Sequence, residues 1–180
     1  VGSIAVTGAA DKVAANAFVL TTGSQVNTYT STSALDGTNH ELTDDAGTLD
    51  GLYKFDIGIN GTPTEVTFTG VFQGNNDNFL IYANKGTDAT PVWEQIGTIN
   101  GTASSSNVVH SLSMLSGQIV SDVVGEVQVR VSGTGLSTSS FDVDQVTLSR
   151  AVNSISIGYD DGAVWIDTVR GTAGTTIGTH

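Results

Sequence analysis

Apolar and polar residues alternate with a period of two through most of this chain, and no window of useful length keeps apolar residues at helical spacing. Residues 52 to 59 place Tyr53, Phe55, Ile57 and Ile59 on one face, and Asn60-Gly61 follows as the signal of a two-residue type I′ hairpin. Pro63 stands at the next strand entrance. From Glu65 to Gln73 the inward set is Val66, Phe68, Gly70 and Phe72, closed by the polar turn Gly74 to Asn78. Phe79 to Ala83 resumes the sheet. Trp93 to Ile99 ends on a second Asn-Gly, Asn100-Gly101, after which Val108, His110, Leu112 and Met114 share a face. Between 124 and 131, Val127, Val129 and Val131 oppose Glu126, Gln128 and Arg130, the pattern of a half-buried sandwich strand. In 141 to 148 the phase slips between Val143 and Val146, which predicts a bulge or a change of neighbouring sheet. About eight strands at this spacing predict an all-β sandwich or barrel.

Two outer stretches read differently. Residues 1 to 51 are rich in Ala, Thr, Gly and Asp with brief apolar runs such as Phe18-Val19-Leu20, and are expected to supply edge strands and loops. Beyond Arg150, Ile155 to Ile166 reads as a short strand pair around Asp160-Asp161-Gly162, followed by the small, polar run Gly171 to His180. The expected organisation is a sandwich over 1–150 and a strand-and-loop extension over 151–180. Charge narrows the partners, because 18 acids against 6 bases give a net charge of −12, which repels phosphate backbones. No nucleic-acid partner is expected. No apolar run approaches the roughly 20 residues of a membrane span, so no membrane partner is expected either, and the absence of cysteine removes disulfides, thiolate metal sites and cysteine nucleophiles. Val1 to Ala10 lacks the basic start and apolar stretch of a signal peptide, and the chain reads as one that begins mid-protein.

Candidate chemistry is sparse. His40, His110 and His180 are too scattered for a zinc site and are assigned ordinary structural or surface roles. No serine stands in a nucleophile elbow. Asp142 and Asp144 lie two apart on one strand, about 7 Å along a single rod, whereas glycoside hydrolysis needs carboxylates flanking the sugar. No cofactor is required by any motif; a structural calcium is the one ion the acidic loops would suit, with Asp36, Asp77 and Asp144 as the chosen ligands among a wider set including Asp44, Asp45 and Asp50. Tyr82, Trp93 and Trp165 are the aromatics able to stack on a sugar face if exposed. Asn60-Gly61-Thr62 and Asn100-Gly101-Thr102 match a glycosylation acceptor, but the hairpin reading accounts for both.

Several spaced patches carry a resemblance. Phe141 to Leu148 is similar to the closing strand of jelly-roll binding modules. Leu35-Asp36-Gly37, His40, Asp45 to Asp50, Phe55 to Gly58, Gly74 to Asp77, Trp93 to Thr98 and Val143 to Val146 together resemble a module of tailed-bacteriophage structural proteins. Asp161 to Val169, with Gly171 to Thr175, looks like the junction such proteins place before a longer distal region. The resemblance spans 35 to 180. It implies a jelly-roll β-sandwich at a virion surface, part of a head fibre, a capsid decoration or a tail fibre, partnered by other virion proteins and with no catalytic residues. A fibre origin would favour trimers, with Ile155, Ile157, Val164 and Ile166 buried against symmetry mates. On the sequence alone the favoured function is therefore a non-enzymatic virion structural protein. The alternative is a carbohydrate-binding module used for attachment to host or environmental glycans.

Overall fold

The strongest alternation in the chain, from Thr48 to Asp56, buries Leu49, Tyr53 and Phe55 and turns Asp50, Leu52 and Lys54 outward. This strand is the sixth of thirteen among the described residues, and the computed structural model describes residues 2–6, 11–59, 61–74, 77–137, 139–152 and 155–159, with backbone alone at 2–6, 152 and 155–159. One sheet has five antiparallel strands in the order β3 (Ala17–Thr22), β6 (Thr48–Asp56), β11 (Glu126–Thr134), β8 (Asn78–Asn84), β9 (Trp93–Asn100). The other has six: β10 (Val108–Ser113), β7 (Gly61–Gln73), β12 (Ser140–Val152), β5 (His40–Thr43) and β4 (Ser24–Val26), with β2 (Asp11–Ala14) also paired to β12. A separate pair joins β1 (Gly2–Val6) to β13 (Ile155–Tyr159). A short 3-10 turn, Tyr29–Ser33, links β4 to the loop before β5.

The two sheets close over one apolar layer. Phe141 of β12 meets Phe68 at 5.6 Å and Phe72 at 4.6 Å within its own sheet, and Phe79 of the opposite sheet at 5.0 Å. Tyr53 reaches Phe68 across the same gap at 6.0 Å. Phe55, Phe68, Phe79 and Phe141 are all fully buried, and a large aromatic removed from water is worth roughly 1.5–3 kcal/mol. Because β6 to β7, β9 to β10 and β11 to β12 each pass from one sheet to the other, the result is a jelly-roll β-sandwich.

That connectivity corrects the hairpin expectation. Neither Asn-Gly pair joins strands that pair with each other, since β6 and β7, like β9 and β10, lie in different sheets. Instead the chain turns at Gly58, at φ 71°, whose carbonyl accepts the Gly61 amide at 3.1 Å. Ile59 lies past the strand end and is exposed rather than inward. Gly101 packs closely on Gly74, which lies 3.0 Å from where a Cβ on Gly101 would stand. The phase slip in β12 is a bulge: Val143 pairs with Gly70 and Gln145 with Thr69, leaving Asp144 as the extra residue. A Cβ on Gly70 would lie 2.0 Å from the Asp142 carbonyl oxygen, so β7 and β12 approach each other there only because glycine has no side chain. The strand expected from Ile155 exists as β13 and pairs with β1, while the rest of the expected pair, residues 160 to 166, lies outside the described residues.

Candidate functional site

The outward side chains of the five-stranded sheet line up in cross-strand rows. In the middle row Val19 faces Leu52, Leu52 faces Arg130, Arg130 faces Tyr82, and Tyr82 faces Gln95. One row away, Thr22, Asp50, Ser132, Leu80 and Thr98 are successive partners. On the other side Ala17 pairs with Lys54, Lys54 with Gln128, and Asn84 with Trp93. With strands about 4.8 Å apart, five of them present a face roughly 19 Å wide.

Arg130 organises the centre of this face. Its Nε and Nη2 donate to the two carboxylate oxygens of Asp50, each at 2.7 Å, a bidentate fork that holds the guanidinium plane. Its Cζ lies 5.5 Å from the centre of the Trp93 ring, within cation–π range. Since β8 separates β9 from β11, the two side chains meet above β8, beside Tyr82. Trp93 and Tyr82 both remain partly open to solvent. The Asp50 hydrogen bond raises the Arg130 pKa further above its already high range, so the group is permanently charged.

The third row is covered by a loop. Asn84 and Gln128 point outward by the strand alternation, yet both are buried, because residues 85–92 fold over them. Asn84 Nδ2 donates to the Thr87 carbonyl at 3.1 Å and to Gln128 Oε1 at 2.9 Å, while its Oδ1 accepts the Gly86 and Val92 amides at 2.8 and 3.0 Å. Gln128 Nε2 in turn donates to Asp88 and to Glu126, the latter at 2.7 Å. Lys54 closes the network on Asp88 at 2.8 Å and Glu126 at 3.1 Å. Partial burial works against its ammonium, but those two hydrogen bonds prevail and raise its pKa, while the Lys54 and Gln128 donors lower that of Asp88. A second loop buttresses the first, with Asp122 accepting the Asp88 amide at 2.8 Å and the Ser121 amide donating to Gly86 at 2.9 Å. The site is thus an open aromatic and hydrogen-bonding platform with a stitched wall along one edge.

Of the three candidate aromatics, the fold brings Tyr82 and Trp93 together on this face; Trp165 lies outside the described residues. Sequence reasoning did not single out Arg130, Asn84 or Gln128, and it weighed Asp50 only as a calcium ligand. Alternation marks them as outward, but nothing local shows that Asn84 and Gln128 sit under a loop.

The candidate calcium ligands fall in two places, Asp36 beside Asp144 and Asp77 beside Asp44. Asp144, at the bulge, accepts the Asp36 and Gly37 amides on Oδ1 at 3.2 and 3.0 Å and the Asn107 side-chain amide on Oδ2 at 2.9 Å. Asp36 accepts the Thr38 amide at 2.9 Å in a local turn. Asp77 accepts the Ser137 amide at 2.8 Å and the Ser139 hydroxyl, and Asp44 flanks the same segment by accepting the Ser139 amide at 2.9 Å. Among the described residues no group of three or more His, Cys, Asp or Glu is placed to hold a metal ion. Of the expected oligomer contacts, Ile155 and Ile157 lie on β13, whose side chains are not described, and Val164 and Ile166 lie outside the described residues.

His40 is a core residue. Fully buried on β5, it bridges Tyr53 Oη at 2.9 Å through Nδ1 and Gln25 Oε1 at 3.1 Å through Nε2, with Phe18 edge-on at 4.6 Å. A protonated Nε2 donating to Gln25 and a Tyr53 hydroxyl donating to Nδ1 satisfy both contacts with a neutral imidazole. Burial depresses the His40 pKa from 6.5 to about 4 and pushes the Tyr53 phenol well up.

No family model and no curated protein matches this chain. Among solved structures it is similar to TmCBM61 in complex with β-1,4-galactotriose, at a TM-score of 0.46 and 11% identity over 75% of this chain and 89% of that one. It is likewise similar to CBM32 of AlyQ in complex with 4,5-unsaturated mannuronic acid, at 0.46 and 12% over 77% and 97%. A third similarity is to the enzymatically active domain of tailspike protein 4 of bacteriophage CBA120, at 0.40 and 10%, covering 82% of this chain but 19% of that one. The ligands named there belong to those proteins.

Proposed function

We propose that this chain is a non-catalytic carbohydrate-binding module whose ligand lies on the outer face of the five-stranded sheet. The observation that carries the reading is the meeting of Trp93 and Arg130 above β8, with Tyr82 alongside and Asp50 locking the guanidinium. A sugar presents apolar C–H patches and a ring of hydroxyls. Aromatic rings suit the first, and planar side chains already fixed by their own hydrogen bonds suit the second at little cost in ordering. Fixed polar groups around an apolar patch are the general form of a small-molecule site. This reverses the order the sequence alone favours, because the aromatic pair is assembled with hydrogen-bonding partners on an open face.

The test is a glycan array followed by calorimetric titration of any hit. Trp93→Ala is expected to weaken binding about tenfold or more, that is by roughly 1.4 kcal/mol or more, since aromatic anchors dominate such contacts. Binding that survives both Trp93→Ala and Tyr82→Ala unchanged would move the site elsewhere. For the carrier of the module we propose a phage particle, supported by the sequence resemblance over 35 to 180, with residues 151–180 as an oligomer contact. Sedimentation of the whole chain as a monomer at high concentration, unchanged by deleting 151–180, would remove the oligomer contact.

A further inference from the structure

We infer that this platform takes uncharged glycans and discriminates against those bearing uronate or sulfate groups; the inference rests on the carbohydrate-binding reading and concerns the same face. Arg130 gives two N–H donors to Asp50, and Lys54 is held between Asp88 and Glu126. Three carboxylates therefore answer two cations, so the face keeps an excess of negative charge. The next cation along, Lys85, is paired with Glu94 at 3.6 Å. The Gln128 amide spends its donors within the same network, on Asp88 and Glu126.

An anionic sugar could reach the three N–H donors that Arg130 keeps beyond its fork, but it would meet a guanidinium already neutralised by Asp50, a doubly paired ammonium and the remaining carboxylate charge. Like charges brought together at a binding face weaken association with the wrong partner. The chain's net charge of −12 adds repulsion at longer range.

Beyond the three remaining Arg130 N–H groups, the face keeps mainly acceptor capacity. A carboxylate oxygen that already receives one N–H has a further lone pair, and a sugar hydroxyl can donate to it, whereas a uronate or sulfate oxygen can only accept. Asp50 presents such lone pairs, and the half-exposed Asp88 presents its Oδ2 because its Oδ1 already receives Lys54 and Gln128. Gln95 offers its Oε1 because its amide donates to Gly97 and Thr98, and the Tyr82 and Ser132 hydroxyls can donate or accept. A neutral polyol can give hydroxyl hydrogens to those acceptors without adding charge, whereas an anion cannot donate to them and adds to the carboxylate excess.

The experiment titrates the full chain with neutral oligosaccharides and with their uronate counterparts of the same length and linkage, at low and at high salt. The neutral member is expected to bind about tenfold more tightly or better, with little salt dependence, and the uronate member to improve as salt screens the repulsion. Releasing Lys54 with Asp88→Asn, and separately with Asp88→Asn plus Glu126→Gln, is expected to narrow the gap. The single variant alters an exposed loop carboxylate and guards against a folding defect in the double one. Uronate binding equal to or tighter than neutral, lost with Trp93→Ala, would overturn this inference while leaving the binding face in place; so would a gap that neither charge variant changes. If no member of either panel binds, the carbohydrate reading fails and this inference fails with it.

Discussion

Acid should unfold this protein partly through one buried ring. His40 has no exposed surface, and its pKa falls from 6.5 to about 4 because burial disfavours the imidazolium. The unfolded chain therefore binds a proton on this residue between those two values while the folded chain does not. Stability from this source is complete above pH 6.5 and is lost as pH falls towards 4. Two and a half pKa units at 1.36 kcal/mol each make a ceiling of about 3 kcal/mol, with about 2 kcal/mol already lost at pH 5. Against a total stability of roughly 5–15 kcal/mol that is a readily measured share. The assay is urea unfolding at pH 7 and pH 5 for the wild type and for His40→Gln. The variant is expected to be less stable at pH 7, having lost the Tyr53 and Gln25 contacts, but its loss between pH 7 and 5 should be smaller by about 2 kcal/mol. His110, whose pKa burial also lowers, and His180 are common to both proteins and cancel. If both proteins lose the same amount, or if the His40 ring protons titrate near 6.5 by NMR, the imidazole is not held neutral by burial and the reasoning fails.

Other expectations concern the six-stranded sheet. Asp142 stands opposite Glu41, its Oδ1 is buried without a hydrogen-bond partner, and burial followed by the Glu41 charge raises its pKa. A carboxyl raised in the folded state destabilises it at neutral pH, so Asp142→Asn should gain about 0.5–1 kcal/mol at pH 7 in urea melts. The gain should shrink as acid protonates the native carboxyl. Asp144→Ala removes the acceptor of two backbone amides and a side-chain amide, and is expected to cost about 2–4 kcal/mol and to increase hydrogen exchange at Asp36 and Gly37. A calcium ion bound at Asp36 and Asp144 would have to compete with those donors, so melting in EDTA and in millimolar calcium should coincide; a clear rise with calcium would restore the ion to that loop.

Much of the strand content was legible because a half-buried strand has to alternate. Tyr53, Phe55, Phe68, Phe72, Val127 and Val129 are inward as the pattern requires, and the slip around Asp144 is a bulge. What alternation cannot encode is which strands meet. Asn60-Gly61 and Asn100-Gly101 have the chemistry of a tight turn, but whether the flanking strands pair or part depends on the far side of the sandwich. The same blindness hid the role of Asn84 and Gln128. Outward polar side chains look alike in sequence whether water or a loop lies above them, and only the fold brings residues 85–92 over the sheet. At the site itself, Tyr82 and Trp93 could be named as aromatics. Arg130 and Asp50 could not be linked, since their contact spans 80 positions of chain.

The longest ladder of the sandwich joins β7 to β12, and β12 also binds β2 and β5. During synthesis, therefore, the six-stranded layer has no centre until residues 140–152 have emerged, and Val66, Phe68 and Phe72 wait without the strand that will pair beside them. Closing such distant pairings is slow compared with forming local hairpins. The nascent chain thus carries an apolar strand without its main partner while residues 74 to 152 are made, and timing, rather than final stability, is where this architecture is most vulnerable to misassembly.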